Sequence, residues 1–207
     1  MNSNRQTIIL GFVGMPGAGK HVASGIIREL WPEAFHLLVP LTEPLKWDLE
    51  ALFINPSTAR FRKELLKHSK RTRRELSNCY LPNLAESRIK NLVRRLAPKD
   101  SRLVVVHIPD VHLYDEAHWV RCNTLTNPDH CFIIRVSARK EVCEKRIKKP
   151  DYPASRINPD EVETGRIKAN YTVKNNESIE KLKEQLEETV SNIRQRIVES
   201  SNVAVSS

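Results

Sequence analysis

The sequence predicts an α/β domain, a parallel sheet covered by helices on both faces. Two observations lead there. Short β-branched or continuously apolar runs alternate with amphipathic stretches along 207 residues, the pattern of buried central strands joined by helical crossovers. The first of those runs leads through a cluster of glycines straight into a helical stretch.

Taken in order, strands are expected at Ile8–Val13, Phe35–Val39, Leu103–Ile108, Phe132–Val136 and Tyr171–Lys174. Helices are expected at Lys20–Leu30, Pro44–Phe53, Ser57–Asn78, Leu81–Leu96, Leu113–Leu125, Lys140–Lys149, Pro159–Asn170 and Ser178–Glu199. The last is the clearest, because Ile179, Leu182, Leu186, Val190, Ile193 and Ile197 recur at steps of three and four. Two places break the alternation. About sixty residues of helix, roughly 42–99, separate the second strand from the third, far more than a crossover needs. The segment KKPDYPASRINPDE, residues 148–161, is rich in proline and basic residues and reads as a lid or as a surface loop.

Length and composition suit one domain over residues 1–207 with that helical insertion. Met1 to Thr7 are polar and Ile8–Val13 is too short for a signal peptide or a membrane span, so a cytoplasmic or nuclear protein with no membrane partner is expected. Cys79, Cys122, Cys131 and Cys143 have no metal-ligand spacing and read as reduced thiols. The formal charge of +9 favours polyanionic partners. Its basic stretches, Arg60–Leu76 and Arg139–Lys149, also carry glutamates and helically spaced apolar residues, so much of that charge belongs to solvated helix faces. Aromatic residues are 6% of the chain and only Phe61 lies among the basic residues 60–74, which argues against nucleic acid.

Of six glycines, Gly11, Gly14, Gly17 and Gly19 fall within nine residues. The run GMPGAGKH, Gly14 to His21, fits G-x-x-x-x-G-K-[ST] except at its last position. Such a loop turns backbone N–H groups around a phosphate, the following helix adds its positive end, and Lys20 brings a cation to the terminal phosphates. His21 stands where a magnesium-holding hydroxyl is expected; it would bond a phosphate or a metal-bound water, carry a proton, or turn away. Asp110, at the end of the third strand, is where a carboxylate would hold a metal-bound water or orient substrate, or else cap the next helix. Arginines in the insertion and around 146–156 suit oxyanion binding.

With these residues the chain resembles small kinases of the nucleoside-monophosphate-kinase type, with the phage deoxynucleoside monophosphate kinases and the animal-type phosphomevalonate kinases as the nearest patterns. GMPGAGKHVAS stands for the phosphate loop, LTEPLKWDLEALF for the Pro-Leu-Lys element, FRKELLKHSKRTRRE for an Arg-Lys helix, VVVHIPDVHLYDEAHWVR for a strand ending in Asp-x-Arg, and YTVKNNESIEKLKEQL for the closing strand and helix. His112 replaces the arginine of Asp-x-Arg. The resemblance implies a three-layer P-loop NTPase fold with an inserted helical acceptor subdomain. It implies an ATP- and Mg2+-dependent transfer to the phosphate of a small acceptor, a nucleoside or deoxynucleoside monophosphate, with phosphomevalonate as the alternative and a nucleotide-binding regulator as a third reading. ATP would be held by Gly14, Met15, Pro16, Gly17, Ala18, Gly19, Lys20, His21, Val22, Arg156 and Asn175, the last beside the adenine. Lys46, Arg62, Arg74 and His112 would hold the acceptor, and Lys20, Asp110 and Arg146 would serve catalysis, with Asp110 on the metal side.

Overall fold

The computed structural model describes residues 5–55, 59–122, 124–147 and 164–205, with side chains among them except at 59, 62 and 201–205. Five parallel strands form one sheet: β1 (Gln6–Val13), β2 (Phe35–Leu38), β3 (Leu103–Ile108), β4 (Cys131–Ser137) and β5 (Tyr171–Lys174), in the order β2-β3-β1-β4-β5. The central strand β1 pairs Ile8 with Val105 on one side and Leu10 with Phe132 on the other. Helices are α1 (Lys20–Leu30), α2 (Glu43–Ala51), α3 (Ala59–Glu75), α4 (Tyr80–Leu96), α5 (Tyr114–Cys122), α6 (Lys140–Arg146) and α7 (Ile179–Val205).

Alternation along β1 divides the core. Ile8, Leu10 and Phe12 pack with Ala23, Ile26 and Ile27 of α1 and with Leu182, Leu186, Val190 and Ile193 of α7. Ile9 and Val13 pack on the other face with Ala85 and Ile89 of α4 and Ala117 and Val120 of α5. The result is three layers, and burial on both faces explains why these strands read as continuous apolar runs. Among the described residues no helix is long and apolar enough to cross a membrane.

The expected helix Pro159–Asn170 begins outside the described residues, as does all of the 148–161 segment and Arg156 with it. Its described end is helical only over 164–166. Asn170 instead feeds β5: its N–H donates to the Ile133 carbonyl at 2.8 Å and its Oδ1 accepts from the Ile133 N–H at 2.7 Å. Pairing with β4 outweighs helix propensity there. The long segment between β2 and β3 carries α2, α3 and α4.

Candidate functional site

The connection from β1 passes over β3 to β2, and that from β3 returns across β1 to β4. The connections that leave the neighbouring strands β1 and β3 thus run in opposite directions, which opens a crevice at the carboxyl ends of these two strands. The loop Gly14–Gly19 lies there.

The three loop glycines have positive φ, 149° at Gly14, 79° at Gly17 and 97° at Gly19. Each also touches the protein closely. A Cβ would stand 2.2 Å from the Val136 carbonyl oxygen at Gly14 and 2.6 Å from the Cys143 carbonyl oxygen at Gly17. The sequence assigned these glycines to close approach by a phosphate; the structure adds that two of them let the loop lie on β4 and α6. Gly19 forms the N-cap of α1, whose first turn has no acidic residue and no side-chain cap. Its amide end is thereby left for an anion. Lys20 folds over the loop, its Nζ donating to the carbonyls of Gly14 at 2.7 Å and Met15 at 3.3 Å.

His21 is still reached by solvent, yet the atoms crowding the ring are the main reason its pKa lies below the ordinary value. Lys46 and Lys20 push in the same direction and Asp110 opposes them. These surroundings, without a phosphate beside the ring, work against the charged imidazole. Lys20, Lys46 and Asp110 are thus the charged side chains whose fields reach His21. Val22 is 46% exposed.

Asp110 does not cap α5. Its Oδ1 accepts from the Leu41 N–H at 2.7 Å, and its Oδ2 accepts from the Thr42 N–H at 2.9 Å and the Thr42 hydroxyl at 2.6 Å. It ties the end of β3 to the start of α2, where Lys46 sits. The start of α5 is held by Glu116 instead, whose Oε2 accepts from the N–H groups of His112 at 2.8 Å and Leu113 at 3.1 Å, the reaching-back half of a capping box.

The basic helix α3 turns Arg73 inward, while Arg74 is 79% exposed and lies 3.5 Å from Glu75. These neighbours stand about 100° apart on the helix, so one faces the protein and the other solvent. Arg73 donates to Glu116 Oε1 at 2.8 Å. Its Nε is buried without a hydrogen-bond partner among the described residues. Burial raises the Glu116 pKa, and Arg73 with the two amides opposes that shift. Sequence reasoning placed the acceptor phosphate on Arg74 and not on its neighbour Arg73; among the described side chains of this helix Phe61, Ser69 and Thr72 are buried and mark its inward side. Arg62 lies on α3 with its side chain outside the described residues. His112 is half-buried and its carbonyl accepts from the Thr164 hydroxyl at 3.0 Å.

Asn175 and Arg146 meet behind the loop. Asn175 Nδ2 donates to the Ala18 carbonyl at 2.7 Å, and Arg146 Nη1 donates to the Asn175 carbonyl at 3.0 Å. Among the described residues no three His, Cys, Asp or Glu side chains gather as metal ligands.

No protein-family model matches the chain, and no curated protein matches it. Solved structures do, 38 chains in all. Shikimate kinase from Acinetobacter baumannii, in complex with shikimate, is 13% identical over 94% of both chains, with a TM-score of 0.43. The APS kinase CysC of Mycobacterium tuberculosis, in complex with AMPPNP and APS, is 15% identical over 93% of this chain and 98% of its own, with a TM-score of 0.50. At such identity the likeness is one of fold. The chain has a three-layer P-loop fold.

Proposed function

We propose that this chain is an ATP-dependent phosphotransferase that moves the γ-phosphoryl group to the phosphate of a small acceptor, a nucleoside or deoxynucleoside monophosphate. The observation that carries the reading is the glycine loop between β1 and α1, with left-handed glycines, an amide end free of side-chain caps and Lys20 folded across it. The nucleotide-bound P-loop kinase of similar fold supports it as analogy.

In this reading Lys20 leaves the Gly14 and Met15 carbonyls to meet the β and γ phosphates, where its charge acts on oxygens that gain charge during transfer. Lys46, His112 and Arg73 line the acceptor side, with Arg73 in the place first assigned to Arg74. Arg73 is held by Glu116 through one Nη, which would fix its guanidinium for an acceptor phosphate. Among the described residues no three carboxylate, His or Cys side chains gather to hold magnesium directly. Asp110 Oδ1, with one accepted bond, is the group that would hold a water on an ion bound to ATP. That ion would supply charge neutralisation on the phosphates.

A nucleotide-binding regulator without transfer is the second reading. It is favoured by an imidazole, His21, where the magnesium-holding hydroxyl is expected and by an Asp110 already engaged in three hydrogen bonds. An ADP-release screen of the purified protein over nucleoside monophosphates, deoxynucleoside monophosphates and phosphomevalonate tests the proposal. Release that depends on a monophosphate nucleotide supports it, release only with phosphomevalonate changes the acceptor, and ATP binding with no release on any acceptor gives the regulator.

A further inference from the structure

Asn175 follows β5 directly and is buried, with 6% of its surface exposed. All its polar groups are engaged. Its backbone N–H donates to the Ser137 carbonyl at 2.7 Å and its Nδ2 to the Ala18 carbonyl at 2.7 Å, while its own carbonyl and Oδ1 accept from Arg146 Nη1 at 3.0 Å and Nη2 at 3.3 Å. The next residue continues the anchorage, since Asn176 Oδ1 accepts from the Arg139 N–H ahead of α6 at 2.6 Å.

The contact point on the loop is the peptide between Ala18 and Gly19. A trans peptide holds its C=O and N–H on opposite sides. Fixing the Ala18 carbonyl on Asn175 therefore points the Gly19 N–H away from Asn175, and this N–H is among the donors that a phosphate-binding loop offers. Gly19 gives the contact its room: a Cβ there would stand 2.2 Å from Asn175 Nδ2. Asparagine suits the task because its amide donates to the loop through nitrogen and accepts from Arg146 through oxygen. An aspartate in its place would have no donor for Ala18 and would add negative charge beside the phosphates.

We propose that Asn175 and Arg146 are positioning residues that aim the Ala18–Gly19 peptide at the nucleotide phosphates, Asn175 acting on the loop and Arg146 acting through Asn175. The proposal rests on the triphosphate-binding reading above and replaces the adenine contact implied for Asn175 and the direct catalytic role implied for Arg146. Both residues then govern a part of the site that recognises phosphate and not base.

Inorganic tripolyphosphate isolates that part, because it carries the phosphate chain without adenosine. Binding of ATP and of tripolyphosphate is measured by titration calorimetry on the wild type, Asn175→Ala, Arg146→Ala and the double variant, each checked for folding by circular dichroism. Asn175→Ala is expected to weaken both ligands by the same factor, about tenfold. Arg146→Ala is expected to weaken both by an equal but smaller factor, and the double variant to be no weaker than Asn175→Ala alone. Weaker ATP binding with unchanged tripolyphosphate binding would overturn the proposal in favour of an adenine contact. Multiplying losses in the double variant would make Arg146 a direct ligand contact. If Asn175→Ala does not fold, Arg146→Ala decides: Arg146 is exposed, and its unchanged binding of both ligands would overturn the proposal. A wild type that binds neither ligand would refute the proposed function itself, whereas variants that bind like the wild type would refute only the positioning role.

Discussion

Exchange of Asp110 for Asn separates a tie in the scaffold from a station for metal. The carboxylate accepts three bonds, from Leu41 N–H, Thr42 N–H and the Thr42 hydroxyl. An asparagine oxygen can keep the bond to Leu41, and the Thr42 hydroxyl can rotate to accept from the new amide. The Thr42 N–H then faces a donor and has no acceptor. An unpaired donor in a partly buried place costs about 1–3 kcal/mol, and bonds to a charged acceptor are stronger than those to an amide. The expected loss is about 2 kcal/mol, which for a domain of this size lowers Tm by about 4–8 °C. Thermal unfolding followed by circular dichroism, without nucleotide or magnesium, reads this shift. Transfer should fall as well, because the same bonds seat the start of α2 that carries Lys46. If Asp110→Asn melts at the wild-type temperature yet loses transfer, the tie is unimportant and the residue serves the metal alone.

Arg73→Ala should destabilise the fold by about 3 kcal/mol, since it leaves the buried Glu116 carboxylate without its cation, whereas Arg74→Ala should stay within about 0.5 kcal/mol; equal urea midpoints for the two would refute the inward assignment of Arg73. His21→Ser should lower the magnesium concentration for half-maximal transfer, because a hydroxyl offers the hard ion an oxygen; loss of transfer with ATP binding intact would make His21 a participant. Burial pushes His107 down to about 3 from 6.5, so between those values the unfolded chain binds the proton that the folded chain refuses, and stability falls as pH drops below 6.5. At pH 5 the share of His107 is about 2 kcal/mol; denaturant unfolding of His107→Gln should show a pH dependence smaller by that amount, and an unchanged dependence would refute the assignment.

Local signals were legible and distant ones were not. The glycine cluster followed by Lys20 revealed the loop because left-handed φ needs glycine at a fixed spacing. Nothing in the sequence pairs Asp110 with Thr42, 68 positions away, or Asn175 with Ala18, 157 away, because one hydrogen bond leaves no periodic trace. Hence Asp110 read as a metal residue or a helix cap and Asn175 as an adenine neighbour. The choice between Arg73 and Arg74 depends on the rotation of α3, whose large apolar residues end at Leu66, more than a turn before Arg73. His107 showed no partner along the chain. In the fold it lies between Ser24 Oγ and His36 Nδ1, at 2.9 Å from each.

The loop from Gly14 to Lys20 either carries phosphoryl transfer or it does not, and Lys20 is where the question is sharpest. ADP release with the best acceptor from the screen, compared between wild type and a folded Lys20→Ala variant, should fall by at least ~100-fold, because the ammonium acts mainly on charge that develops in the transition state. A Lys20→Ala protein that releases ADP at the wild-type rate would contradict the assignment of this loop as the phosphate site.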